Sequence, residues 1–220
     1  MDLDGQLILV DKAPEWTSFD VVNKLRYALR VKKIGHAGTL DPLATGLLLV
    51  GVGKYTKRLG ELQGLDKTYE GEIEIGKTTP SYDLETEFDS ETDSSHITED
   101  QIYQAAARLS GDLEQIPPTY SAVRVGGERA YKAAREKRDI KIQPRHVTVY
   151  AFDITGIDGS IVSFNIKCSK GTYIRSMASD FGEELGVGAY LKSLRRTSIG
   201  DYEVKDAFPI EYWVEKYRVS

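Results

Sequence analysis

Hydrophobic and polar positions follow two different periods along this chain. Residues 68–75 alternate one by one. Tyr69, Gly71, Ile73 and Ile75 fall on one face, and Thr68, Glu70, Glu72 and Glu74 on the other, the mark of a half-buried strand. Residues 17–29 repeat every three to four positions instead. Val21, Val22, Leu25, Ala28 and Leu29 form an apolar stripe behind Thr17, a good N-cap, so a helix is predicted. A second helix is predicted after the capping pair Thr98/Gln101, with Ile102, Ala105, Ala106 and Leu109 inward and an end near Gly111. A third covers Tyr173–Leu185 on Ile174, Met177, Ala178, Phe181 and Leu185. Short strands are predicted at 5–11, at 148–152 and 160–168 around a turn at Gly156–Gly159, and near 190–194 and 199–204. The run Leu47–Val52 is too short for its periodicity to separate helix from strand. Residues 79–95, rich in Ser, Thr and Asp, read as an exposed loop. Pro117 and Pro118 break the chain before a stretch, about 120–146, that is expected to be partly mobile. Mixed helices and hairpin-like strand neighbours predict an α+β fold: a mainly antiparallel mixed sheet flanked by helices.

Composition narrows the class. The hydrophobic share is 40% and the charged share 29%, as in globular domains, and 220 residues suffice for one large domain. A single catalytic domain over 1–220 is expected. No apolar run approaches a membrane span, and the acidic Met1-Asp2-Leu3-Asp4 start is unlike a secretory signal. Cys168 is alone, so no internal disulfide can form, and a cytoplasmic location is expected. The three histidines and the cysteine lack zinc-ligand spacing, so no metal and no cofactor is expected.

A net charge of −5 argues at first against a nucleic-acid partner. Its distribution argues otherwise. Eight acids and no Lys or Arg lie between Asp83 and Asp100; without them 26 acids face 29 bases. From Arg124 to Arg145 there are eight bases and three acids, with Tyr131 inside the stretch and Tyr120 just before it. Interleaved cations and aromatics suit an RNA backbone and stacked bases.

The candidate chemistry centres on Gly35-His36-Ala37-Gly38-Thr39-Leu40-Asp41-Pro42-Leu43-Ala44-Thr45-Gly46. It places one carboxylate in a loop with glycines on both sides. Pro42 biases Asp41 toward extended geometry, and Gly38 and Gly46 permit positive φ and close approach. No second acid or Ser–His pair accompanies Asp41, which excludes a hydrolase triad. A second segment is Cys168-Ser169-Lys170-Gly171-Thr172-Tyr173-Ile174-Arg175-Ser176. If Thr172 caps the helix, Arg175 lies in its first turn, where a cation opposes the helix dipole. Such a cation calls for a compensating partner: a carboxylate such as Asp41, or an RNA phosphate. The alternative is a surface arginine lying over its own helix.

These segments resemble the motifs of the TruB-type tRNA pseudouridine synthases, whose catalytic loop reads GHxGxLDPxAxGxL and whose arginine segment reads CSKGTYIR. Further segments fall in the family order. Asp66-Lys67-Thr68-Tyr69 resembles DKxY. Asp11-Lys12-Ala13-Pro14-Glu15-Trp16-Thr17-Ser18 resembles DKPxGxTS, departing at Ala13 and Glu15. Pro117-Pro118-Thr119-Tyr120-Ser121-Ala122-Val123-Arg124 resembles PPxYSAxK, with Arg124 for lysine. Leu194-Arg195-Arg196-Thr197 resembles LRRT.

The resemblance implies a pseudouridine synthase catalytic fold and the isomerisation of uridine-55 in the TΨC arm of tRNA, with no cofactor. Asp41, Tyr69 and Arg175 would be catalytic, Arg175 pairing with Asp41 and Tyr69 stacking on the extruded base. His36 would fill the space that base leaves. Lys12, Gly38, Tyr120, Arg124, Tyr173 and Leu194 would line the substrate site, Arg195 and Arg196 supporting structure or RNA. Many relatives continue into a C-terminal RNA-binding domain of the PUA type. A short form without it, acting as a monomer without guide RNA, is expected. Two other readings stand beside it: a non-catalytic tRNA-binding or folding module, and a guide-dependent dyskerin-like synthase.

Overall fold

The computed structural model describes residues 5–217 apart from 122, 137 and 139; the side chains of Arg124, Arg129, Ala134 and Arg135 also lie outside the description. The chain forms two compact units, Met1–Glu70 with Leu194–Ser220, and Gly71–Ser193.

The first unit holds β1 (Leu7–Lys12), α1 (Ser18–Leu29), β2 (Ile34–Ala37), β3 (Thr45–Val52), α2 (Leu59–Gln63) and the start of β4 (Lys67–Ile75). α1 opens as predicted. Thr17 and Asp20 form a reciprocal capping box, and Val21, Val22, Leu25 and Leu29 are buried. The ambiguous run 47–52 is a strand. Leu48, Val50 and Val52 face one core with α1, while Leu47 and Leu49 face a second with Leu62 and Ile199. A strand buried on both faces carries no alternation, which is why its period was unreadable. β1 and β2 both pair antiparallel with β3.

The second unit begins with the rest of β4, then β5 (Lys77–Thr78), β6 (Ser90–Glu91), α3 (Glu99–Arg108) and β7 (Gly111–Gln115). β8 (Arg124–Val125), β9 (Glu128–Arg129) and α4 (Ala130–Arg135) give the basic stretch a hairpin and a helical turn. β10 (Arg145–Asp158), β11 (Ile161–Cys168), α5 (Ile174–Leu185) and the start of β12 (Ala189–Ile199) complete it. The strand order here is β12-β4-β11-β10-β7. Phe152 packs edge-on to Phe164 and tilted on Phe181, which joins sheet to α5. The predicted turn at Gly156–Gly159 lies later. Gly156 pairs with Ser163 inside the ladder, beside a register shift, and Asp158 pairs with Ile161. Its glycine marks a bulge rather than a turn.

The chain returns to the first unit through the end of β12, β13 (Tyr202–Glu203), β14 (Phe208–Pro209) and α6 (Ile210–Lys216). β14 pairs parallel with β1, and Trp213 of α6 donates to the Leu9 carbonyl (3.0 Å). In both units the strands are mainly antiparallel, with helices packed against them, as the sequence predicts. Among the described residues no helix is long and apolar enough to cross a membrane.

Candidate active site

Asp41 opens a tight turn: the Ala44 N–H donates to its carbonyl (3.2 Å) across Pro42-Leu43. Three side chains from elsewhere in the first unit hold this loop by its backbone. The Ser18 hydroxyl, at the start of α1, donates to the Leu40 carbonyl (3.1 Å) and accepts from the Leu40 N–H (2.9 Å). Lys12, 1% exposed at the end of β1, donates to the carbonyls of Trp16 (2.6 Å), Ala13 (3.0 Å) and Pro42 (3.1 Å). Arg196, also 1% exposed, donates to the carbonyls of Leu47 (2.8 Å), Gly38 (3.1 Å) and Thr39 (3.4 Å). Arg196 reaches that position because β12 pairs parallel with β3, Arg196 opposite Gly46. A Cβ at Gly46 would lie 2.3 Å from the Arg196 carbonyl oxygen, and its φ is +98°, so glycine is required twice over.

The electrostatics follow from this packing. Burial lowers the Lys12 ammonium from 10.5 to about 8; the Asp41 carboxylate offsets part of that, and the Arg196 charge adds to it. Burial also lowers the His36 imidazole, and Arg196 pushes the same way against a backbone hydrogen bond with Gly38. His36 lies on β2 opposite Val50. Tyr69 is 8% exposed on β4, next to Lys67, which donates to the carbonyls of Gln63 and Leu65. Leu194 is half-buried, and its carbonyl accepts from Thr45 (3.3 Å). Arg195 grips Asp11 with two bonds of 3.0 and 2.8 Å. Lys12, expected to line the substrate site, is buried and bonds three backbone carbonyls of this region.

In the second unit Tyr173, not Thr172, is the N-cap of α5, and Thr172 turns back to the Ser169 carbonyl. Arg175 lies in the first turn as predicted, and it is 4% exposed rather than lying over the surface. Its guanidinium donates to the carbonyls of Tyr120 (2.9 Å) and Ser81 (3.1 Å), and Asp83 lies 3.5 Å away. Asp83 comes from the stretch read as an exposed loop. Thr79, Ser81 and Asp83 are buried there, in the connection between β5 and β6. A count of acids could not separate Asp83 from its solvated neighbours. The nearby signal was local: the Glu85 N–H closes an Asx-type turn on Asp83 (3.0 Å). The side chain of Arg124, expected at the substrate, lies outside the described residues. Among the described residues no group of three or more His, Cys, Asp or Glu side chains could hold a metal ion.

Residues 26–174 match the TruB family pseudouridylate synthase (N terminal domain). The chain belongs to this family. It is 50% identical over 220 residues to a tRNA pseudouridine synthase B of Flavobacterium johnsoniae, covering 97% of this chain and 96% of the relative. It is 48% identical to the protein of the same name from Chloroherpeton thalassium, covering 97% and 90%. Among solved structures, it superposes on a chain of an H/ACA RNP bound to a substrate RNA containing 2'-deoxyuridine, with a TM-score of 0.73 and 27% identity. It spans 98% of its own length there and about half, 54%, of that chain. The pinned aspartate loop is thus found within a family of pseudouridylate synthases.

Proposed function

We propose that this protein is a tRNA pseudouridine synthase that isomerises uridine-55 of the TΨC arm, without a guide RNA. The observation that carries this is the Asp41 loop, its backbone held by Lys12, Ser18 and Arg196, in a chain half identical to a tRNA pseudouridine synthase B. The reaction breaks the bond from C1′ to uracil N1 and forms one from C1′ to C5. The C5 proton leaves and N1 gains one, so atoms and charge balance with no redox partner. Asp41 supplies the ionised carboxylate at the sugar, as nucleophile or as acceptor of a sugar proton. Arg175 supplies the buried cation of the same reaction. Tyr69 stacks on the extruded uracil and Tyr173 lies against it. Base extrusion costs a few kcal/mol, offset by such stacking and pocket contacts. His36, kept neutral by burial, occupies the gap in the RNA stack.

The likeness to a chain of the H/ACA RNP supports a second reading, guide-dependent action. Release of tritium from C5-labelled uridine in an unguided tRNA transcript distinguishes them. Release by the protein alone, with pseudouridine mapped to position 55, is the expected result. No release without added guide RNA or partner proteins would favour the second reading.

A further inference from the structure

We infer that Gln115 and Arg145 are positioning residues for Tyr173, and that they act on the reaction through its ring. The inference rests on the proposed place of Tyr173 against the target base. The two residues face each other across the ladder: Arg145, at the start of β10, pairs with Gln115, at the end of β7. Both turn to the same target. Gln115 is 2% exposed, and its amide is used from both ends by one residue. Its Oε1 accepts from the Tyr173 N–H (2.7 Å) and its Nε2 donates to the Tyr173 carbonyl (3.1 Å). A buried amide is costly unless both ends are bonded, and here a single backbone unit meets both demands. That fixes where the Tyr173 backbone must lie.

Arg145 acts on the side chain. Its guanidinium carbon lies 5.0 Å from the centre of the Tyr173 ring, and its Nη1 donates to the Gly171 carbonyl (3.5 Å). Gly171 takes φ +84°, and a Cβ there would lie 3.7 Å from Arg145 Nη1. The cation thus covers one face of the ring while bonding to the loop that leads into it. Tyr173 caps α5 by its backbone alone, with no side-chain capping bond, so its ring is not committed to the helix. The platform beneath is itself tied. Thr148, three residues along β10, exchanges bonds with Ser169 and donates to Asp112 (2.6 Å). On α5, Ser176 donates to the Ile116 carbonyl (2.8 Å), next to Gln115. A ring held by backbone and face is pre-oriented, and small displacements of a positioning group can cost large factors in rate.

An arginine in a basic stretch could instead contact a phosphate, and the two roles separate experimentally. Single-turnover tritium release from unguided tRNA would be measured for wild type, Arg145→Gln, Arg145→Lys and Gln115→Met, together with tRNA affinity at several salt concentrations. Arg145→Gln is expected to slow the chemical step about tenfold with an unchanged slope of log affinity against log salt. Arg145→Lys, which keeps a cation over the ring, should recover most of the rate. Gln115→Met should slow the step similarly and speed hydrogen exchange of the Tyr173 amide at least tenfold, a readout that does not depend on activity. A wild-type rate in Arg145→Gln, with a slope reduced by about 0.7–0.9, would overturn the inference in favour of a phosphate contact. Unchanged exchange at Tyr173 in Gln115→Met would overturn the backbone half. Because Arg145 is only half-buried, its variants report even where Gln115→Met fails to fold. Wild type that releases no tritium overturns the tRNA reading and this inference together; an active wild type with unaffected variants overturns the inference alone.

Discussion

Arg196 and Arg175 are both buried, at 1% and 4% exposure, yet they are satisfied differently. The hydrogen bonds of Arg196 go to the carbonyls of Gly38, Thr39 and Leu47. Arg175 bonds two carbonyls and has the carboxylate of Asp83 beside it. Carbonyl oxygens satisfy donors but cancel no charge; a carboxylate does both. Arg196 pushes both Lys12 and His36 toward their neutral forms, in each case adding to the effect of burial. At Lys12 the carboxylates of Asp41 and Asp20 act against that push, Asp41 more strongly. One unit holds a cation in a locally balanced pair. The other holds two buried cations around a loop whose proposed work is to present a carboxylate to RNA.

The sharpest way to break this contrast is Asp41→Asn. It keeps the volume and removes the one charge the proposed chemistry needs. Tritium release should fall by about a thousandfold or more, some 4 kcal/mol in the barrier. Affinity for tRNA should hold, because it comes mainly from phosphate contacts and stacking. Wild-type single-turnover activity in this variant would remove Asp41 from the mechanism.

Conservative replacement of each arginine tests the contrast itself. Arg196→Lys keeps the charge but loses the planar fork whose three separate nitrogens reach Leu47, Thr39 and Gly38. Leaving buried acceptors unmet should lower stability by about 3 kcal/mol in urea unfolding. Arg196→Met also removes the charge, and should raise the His36 pKa, read from its imidazole proton shifts. Arg175→Lys should lower stability too, but its single-turnover rate should fall at least about tenfold under conditions where the variant is fully folded, about 1.4 kcal/mol or more. If both lysine variants lost activity only in proportion to unfolding, the two arginines would be equivalent clamps and Arg175 would have no catalytic part.

The same contrast explains what could be read from the sequence. The Asp41 loop, the α1 and α3 caps and the alternation of β4 are local signals, in which spacing and turn chemistry carry the information. The need of Arg175 for a partner was legible too, because a cation at a helix N-terminus breaks a local rule. That Asp83 lies beside it was not. The pairing spans about ninety residues and hides in a run of acids whose other members are solvated. The clamp made by Lys12 and Arg196 was hidden for a similar reason: both look like surface cations until the parallel β3–β12 pair puts Arg196 beside Gly46. α6 escaped notice because a helix of seven residues shows too few turns for a period to emerge.

Lys12 gives the most gradual expected effect and a test of the buried charge by itself. Its pKa is about 8 in the folded protein against 10.5 in the absence of burial. Below pH 8 both states are protonated, and the folded state bears the full penalty of the buried ammonium. Between pH 8 and 10.5 the unfolded state binds more protons than the folded one, so the contribution of Lys12 to stability rises with pH. Above 10.5 the penalty is gone. Lys12→Met has no such titration, though it loses the bonds to Ala13, Trp16 and Pro42. The difference in unfolding free energy, wild type minus variant, should therefore climb across that window, by at most about 1.4 kcal/mol per pH unit. Taking the difference cancels the other lysines and tyrosines that titrate in the same range. A flat difference from pH 8 to 10.5 would mean that the nearby carboxylates offset the whole cost of burying the Lys12 ammonium, and that Lys12 stays charged beside the Asp41 loop across that window.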